Sequence, residues 1–228
     1  MKPIFVAIDT PDLQRAVAIA EAVSDVAGGV KLGLEFFSAQ GPAGVARIAK
    51  LKLPIFLDLK LHDIPNTVGK AVAALAALNP SILTVHASGG PAMLAAAKAA
   101  APSSMKIIAV TVLTSLDDAD LARTGVSSPS SDQVVRLATL ARESGVDGIV
   151  CSGAEISGVR SIWPEGFIVV PGVRPAGGEV ADQKRVVTPR YAIDHGASII
   201  VIGRPITGAS DPMRAIMDIH ASLTHMPA

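Results

Sequence analysis

Eight short apolar runs, rich in β-branched residues, recur along the chain and limit its fold more than any other feature. They are "IFVAID" (4–9), "GGVKLG" (28–33), "PIFLDLK" (54–60), "ILTVHA" (82–87), "KIIAVTVL" (106–113), "VDGIVC" (146–151), "FIVVPG" (167–172) and "SIIVIG" (198–203). Several are continuous rather than alternating, the pattern of a parallel strand covered on both faces, which disfavours antiparallel hairpins. Periodicity alone does not separate the Gly-punctuated runs at 28–33 and 146–151 from loop. Ala-rich, helix-favouring segments lie between the runs, among them 13–27, 68–78, 91–100 and 130–145. Eight βα units in 228 residues close most simply into an α/β fold, a single (β/α)8 TIM barrel over residues 1–228. A doubly wound sheet of eight strands would carry a domain split or edge strands, and no linker, internal repeat or low-complexity segment marks one.

With 50% hydrophobic residues the chain can fill such a core, and 20 Lys+Arg against 20 Asp+Glu leave no global charge to draw in nucleic acid. A single cysteine, Cys151, excludes an intramolecular disulfide and fits a reducing compartment, so a cytoplasmic address is expected. No stretch approaches the roughly 20 apolar residues of a membrane helix. The opening "MKPIFVAIDT" reaches Asp9 before a signal-peptide core is long enough. The expectation is a soluble chain with no membrane partner.

Chemistry is sought at the carboxyl ends of the strands, where barrels of this kind build their sites. The polar residues there are Asp9, Lys31, Asp58, Lys60, His86, Thr114, Ser152, Arg174 and Arg204. In "FLDLKLHDIPNTV" (56–68), alternate side chains of a strand share a face, so Asp58 and Lys60 point into the barrel mouth while Leu57 and Leu59 face the helices. Asp63 lies past the strand end, in a loop that either reaches back over this site or projects towards a partner subunit; the sequence leaves both open. An isolated Asp-x-Lys is as readily a structural ion pair. Four alternating charges in a poorly solvated mouth favour one another's charged forms, and a protonated lysine there can donate to a developing carbanion.

A second constellation lies in "VPGVRPAGGEVADQKRVVTP" (170–189) and "IVIGRPIT" (200–207). Loops after strands seven and eight are the usual phosphate site of this architecture, with Arg174 and Arg204 as forked donors. Gly177 and Gly178 suit a lid that brings Gln183 to the ligand. Asp9 either accepts from a sugar hydroxyl or caps the helix near Pro11. His86 reads as a core or rim histidine, His62 as loop support, Cys151 as a small buried hydrophobe and Trp163 as packing. No metal-ligand spacing is convincing, and Glu35, a turn past Lys31, lacks a partner.

"DLKLHDIPNTV", with "FVAID" and "VKLG" upstream and "PGVRP", "DQKRVVTP" and "IGRPIT" downstream, resembles the orotidine 5′-phosphate decarboxylase family over nearly the whole chain. Asp-x-Lys-x-x-Asp alone is shared with 3-keto-gulonate 6-phosphate decarboxylases; the extension Ile-Pro-Asn-Thr-Val is more specific. The resemblance implies loss of CO2 from orotidine 5′-phosphate to give UMP, with no metal, cofactor or covalent intermediate. It implies that Lys60 stabilises the C6 carbanion and protonates it, that Asp58 sits by the departing carboxylate, and that Lys31 and Asp63 complete the charge array. It further implies a homodimer with shared sites, in which Asp63 arrives from the neighbouring subunit with Ile64 and Thr67 close to the ribose. Asp9 would hold the ribose, Thr114 or the adjacent Ser115 the pyrimidine edge, and Gln183, Arg174, Gly203 and Arg204 the phosphate.

Overall fold

The computed structural model describes residues 2–174 and 187–224. The first half of the barrel runs β1 (Ile4–Ile8), α1 (Leu13–Val23), β2 (Gly29–Gly33), α2 (Leu34–Ala49), β3 (Ile55–Leu61), α3 (Pro65–Ala76), β4 (Ile82–His86) and α4 (Pro91–Ala100). The second half runs β5 (Lys106–Val110), α5 (Asp118–Arg123), α6 (Ser130–Glu143), β6 (Gly148–Val150), α7 (Ile156–Ile162) and β7 (Phe167–Val170). It continues with α8 (Pro189–Asp194), β8 (Ile199–Ile202), α9 (Arg204–Thr207) and α10 (Pro212–Thr224). All eight strands are parallel and in sequence order, and β8 pairs with β1 to close the barrel. The expected TIM barrel is therefore the fold.

The two doubtful runs are strands, and their glycines have a steric reason. A Cβ on Gly29 would stand 2.4 Å from the Phe5 ring, and one on Gly148 would stand 1.9 Å from the Phe167 carbonyl oxygen. Both positions need close approach rather than a turn. The boundaries differ from the sequence reading where end chemistry intervenes. Helix α3 starts at Pro65 rather than 68, because proline at the first helical position forfeits only an N–H that has no partner there. Helix α1 stops at Val23, and its N-cap is Asp12, whose carboxylate accepts from the Gln14 and Arg15 N–H groups. The segment after β5 holds an unanticipated short helix, α5, begun by a reciprocal Asp117–Asp120 capping box.

Strand alternation divides the core into two layers. Outward side chains such as Val30, Leu32, Leu57 and Leu83 pack under the helices. Inward ones, Phe5, Ala7, Phe56, Ile82, Ile108, Val169, Ile199 and Val201, fill the barrel itself. Phe5 and Phe56 meet edge to face at 6.5 Å. This plug occupies the middle of the barrel, so the next inward positions towards the carboxyl ends open into the mouth. They are where the charges sit.

Candidate active site

The mouth holds a cavity of about 280 Å³ lined by residues of seven of the eight strands or the loops that follow them. β1 to β3 and the turn after β1 bring Asp9, Lys31, Asp58 and Lys60 to it, while Ala7, Val110, Val112, Val150, Val169 and Val201 supply apolar lining. Thr114 lines it as well, whereas its neighbour Ser115 does not. Pro171, Gly172, Arg174, Gly203 and Arg204 complete the rim after β7 and β8.

The four charges form one continuous chain. Lys31 Nζ lies 3.1 Å from Asp9 Oδ1 and 3.5 Å from Asp58 Oδ2, and Lys60 Nζ lies 2.8 Å from Asp58 Oδ1. At 2.8 Å, with an effective dielectric constant near 20, the Lys60–Asp58 attraction is roughly 6 kcal/mol before desolvation is subtracted. Burial pushes the Asp58 carboxyl up. The Lys31 and Lys60 ammoniums, with hydrogen bonds from Lys60 and Thr84, outweigh it and hold the group below the usual aspartate value. Asp9 does not cap α1, since Asp12 does. Its side chain is half exposed beside Lys31, free to meet a ligand from solvent.

Strand period brings Asp58 and Lys60 to one face as expected, but the strand is not regular there. The β3–β4 register shifts between Leu57, opposite Leu83, and Leu61, opposite Val85. Within this bulge Lys60 has φ of +51°, a left-handed conformation that costs a side-chain-bearing residue about 1–2 kcal/mol. Bulges re-aim side chains next to functional sites, and this one carries the lysine. Nothing in the residue pattern announces it. Thr84, fully buried on β4, was also not legible: its hydroxyl accepts from the Lys60 N–H at 3.0 Å and donates to Asp58 Oδ1 at 3.0 Å.

Asp63, Ile64 and Thr67 are exposed and do not line the cavity of their own chain. Asp63 Oδ1 accepts from the Ile64 N–H at 2.6 Å, and among the described residues its carboxylate pairs with no lysine or arginine. Arg174 is buried, with its guanidinium donating to the Val173 carbonyl at 3.0 Å, and its N–H bonds to Val187 O. Gly177, Gly178 and Gln183 lie outside the described residues.

The remaining polar candidates have structural surroundings. His86 is half-buried, with its ring 5.4 Å from that of His62. Burial, then His62 and Lys60, push its pKa down against the pull of Asp58. Cys151 and Trp163 are buried in the outer core, as packing residues. Among the described residues no three His, Cys, Asp or Glu side chains gather where a metal ion could bind, and no helix is long and apolar enough to cross a membrane.

Comparison with known proteins accords with this geometry. The chain is 62% identical over 221 residues to an orotidine 5′-phosphate decarboxylase from Sphingopyxis alaskensis, covering 97% of this chain and 99% of that one. A second, from Novosphingobium aromaticivorans, is 58% identical with the same coverage. The crystal structure of orotidine 5′-phosphate decarboxylase from Lactobacillus acidophilus superposes with a TM-score of 0.85 at 37% identity, over 99% of this chain and 100% of that chain. The sequence profile of the orotidine 5′-phosphate decarboxylase / HUMPS family matches residues 2–219. With a closed parallel barrel, an alternating charge chain in its mouth and these likenesses along nearly its whole length, the chain belongs to the orotidine 5′-phosphate decarboxylase / HUMPS family.

Proposed function

We propose that this chain is a carboxy-lyase that converts orotidine 5′-phosphate to UMP and CO2 without metal or cofactor, the last step of de novo UMP biosynthesis. The observation that carries the reading is the Asp9–Lys31–Asp58–Lys60 chain in a cavity whose rim after β7 and β8 holds Arg174, Gly203 and Arg204. The relatives at 62% and 58% identity bear that enzyme's name.

In this mechanism the C6–carboxylate bond breaks, CO2 departs, and the electron pair stays on C6. The Lys60 ammonium faces the developing carbanion and then supplies its proton. Its positive charge is already oriented by Asp58, so little reorganisation is needed at the moment of reaction. Asp58 faces the departing carboxylate, and Lys31 holds Asp58 and Asp9 in register. Asp9, half exposed at the rim, takes the ribose hydroxyls; Thr114 takes the pyrimidine edge. Arg174, Gly203, Arg204 and Gln183 take the phosphate, whose remote binding energy contributes to orientation at C6.

The proposal includes a homodimer with shared sites. Asp63 is exposed and outside its own cavity, which suits a residue donated to a partner's Lys60, with Ile64 and Thr67 beside it. Among the described residues, three of the five exposed large apolar side chains, Leu34, Ile64 and Leu113, follow β2, β3 and β5 at the same rim, and Ile64 is 67% exposed. A reducing, cytoplasmic setting fits the single buried cysteine. The test is turnover of orotidine 5′-phosphate to UMP followed by ultraviolet absorbance in excess EDTA. Undiminished turnover is expected; absent or chelator-sensitive turnover overturns the reading.

A further inference from the structure

The bulge in β3 leaves a backbone problem that one side chain solves. Between the Leu57–Leu83 and Leu61–Val85 pairs, β3 spends four residue steps where β4 spends two, so the regular ladder is interrupted at Lys60. At this position the Lys60 N–H donates to a side chain, Thr84 Oγ1, at 3.0 Å. The same oxygen donates its proton to Asp58 Oδ1, the carboxylate oxygen that also meets Lys60 Nζ at 2.8 Å. Thr84 thus grips both ends of the Asp58–Lys60 pair: the main chain that carries the ammonium and the anion that aims it. It is fully buried, lies behind Asp58 and does not line the cavity, so it has no access to a bound ligand. A β-branched hydroxyl suits the task, because its χ1 freedom is restricted. A valine would fill nearly the same shape and leave the Lys60 N–H and one Asp58 lone pair without this partner.

We propose that Thr84 is a positioning residue of the decarboxylation site, its hydroxyl fixing the left-handed turn at Lys60 and the orientation of Asp58 so that the ammonium is held at one point in the cavity. This rests on the reading of Lys60 as the group facing C6. It extends that reading to a residue that touches no substrate.

The experiment compares Thr84→Ser, Thr84→Ala and Thr84→Val, each checked for folding by circular dichroism. Serine and alanine differ only by the hydroxyl, so that pair decides the matter even if the valine protein fails to fold. With the hydroxyl kept, Thr84→Ser should stay within about threefold of wild-type kcat; without it, Thr84→Ala and Thr84→Val should lose about ten- to hundredfold, as expected for a hydrogen bond to a charged group. KM should change far less than kcat, because the phosphate and ribose contacts are untouched. Loss of a donor to the Asp58 carboxylate should also move the acid limb of the kcat profile to higher pH, with Lys31, Lys60 and Asp9 still facing it in every variant. Wild-type kcat in the folded alanine protein, or a serine protein as impaired as alanine, overturns the proposal.

A second readout separates this inference from the function. The Asp58 carboxylate is titrated by NMR with labelled aspartate in wild type and Thr84→Ala, and its pKa should rise in the variant. If wild type does not decarboxylate orotidine 5′-phosphate but this rise is seen, the functional reading falls and Thr84 still organises the pair. An unchanged titration overturns the role of Thr84 whatever the substrate.

Discussion

The proposed sharing of sites between subunits can be tested with two lesions that separate cleanly only in a dimer. Lys60→Ala removes the ammonium from the cavity; Asp63→Ala removes an exposed carboxylate whose own contact is the Ile64 N–H at 2.6 Å. Asp63 is outside its own cavity and exposed, so its loss should cost no more than about 1 kcal/mol of stability, and the protein should fold. Each variant alone should be nearly inactive. When the two are mixed in equal amounts and allowed to exchange, about half the dimers are mixed by random pairing. If Asp63 serves the partner's site, one site of each mixed dimer carries both lesions and the other carries neither. One intact site in two, in half the dimers, predicts recovery to about one quarter of wild-type activity. If Asp63 acts within its own chain, both sites of the mixed dimer remain lesioned and nothing is regained. The assay is turnover of orotidine 5′-phosphate by ultraviolet absorbance, with exchange followed by native mass spectrometry of chains bearing tags of different mass. Demonstrated exchange without recovery refutes the trans arrangement.

Two further predictions concern stability. Lys60→Gly and Lys60→Ala both remove the ammonium, but glycine accepts the φ of +51° without penalty. After the greater unfolded-state freedom of glycine is subtracted, Lys60→Gly should be more stable than Lys60→Ala by about 0.5–1 kcal/mol in urea denaturation; an alanine protein of equal or greater stability would show that the turn is not strained. Two groups should also weaken the native state in acid. Asp58 has a folded pKa below its unfolded one, so its contribution is full above the ordinary aspartate range and is lost as pH falls through that range to the folded value. His86 is likewise shifted down from 6.5, so below that pH the unfolded chain takes up a proton that the native state refuses, and stability falls until the folded pKa is passed. His86→Gln should therefore flatten the pH dependence of the urea midpoint just below pH 6.5, and Thr84→Ala, by relaxing Asp58, should reduce the loss at lower pH; a slope unchanged in His86→Gln refutes the assignment to that ring.

Much of the architecture was legible because it rests on short-range chemistry. Continuous β-branched apolar runs mark the strands, although the Gly-punctuated runs at 28–33 and 146–151 are separable from loop only in the structure, and the alternation Phe56, Leu57, Asp58, Leu59, Lys60 already divides core from mouth. Pro65 and Pro91 mark helix starts by what proline lacks, although the helix-favouring composition before β4 begins only at Val68, three residues after α3 starts. The charge chain was visible as residue types at strand ends, since a parallel barrel converges those ends on one opening. The choice between Asp9 as a cap and Asp9 as a site residue was not legible, because Asp12 competes for the same helix terminus and only geometry assigns it.

What the sequence by itself determined is the alternation of strand and helix that closes a parallel barrel, and the inward facing of Asp58 and Lys60 on β3, consequences of apolar run length and strand period. Only the tertiary structure decided that Lys60 occupies a left-handed bulge, that Thr84 holds its backbone and Asp58 together, and that Asp63 lies away from its own cavity. Each of these depends on the register between β3 and β4 or on the path of the loop after β3, contacts between residues more than twenty positions apart or between surfaces. Local pattern carries no information about them, because the forces that select register act only once the barrel has closed.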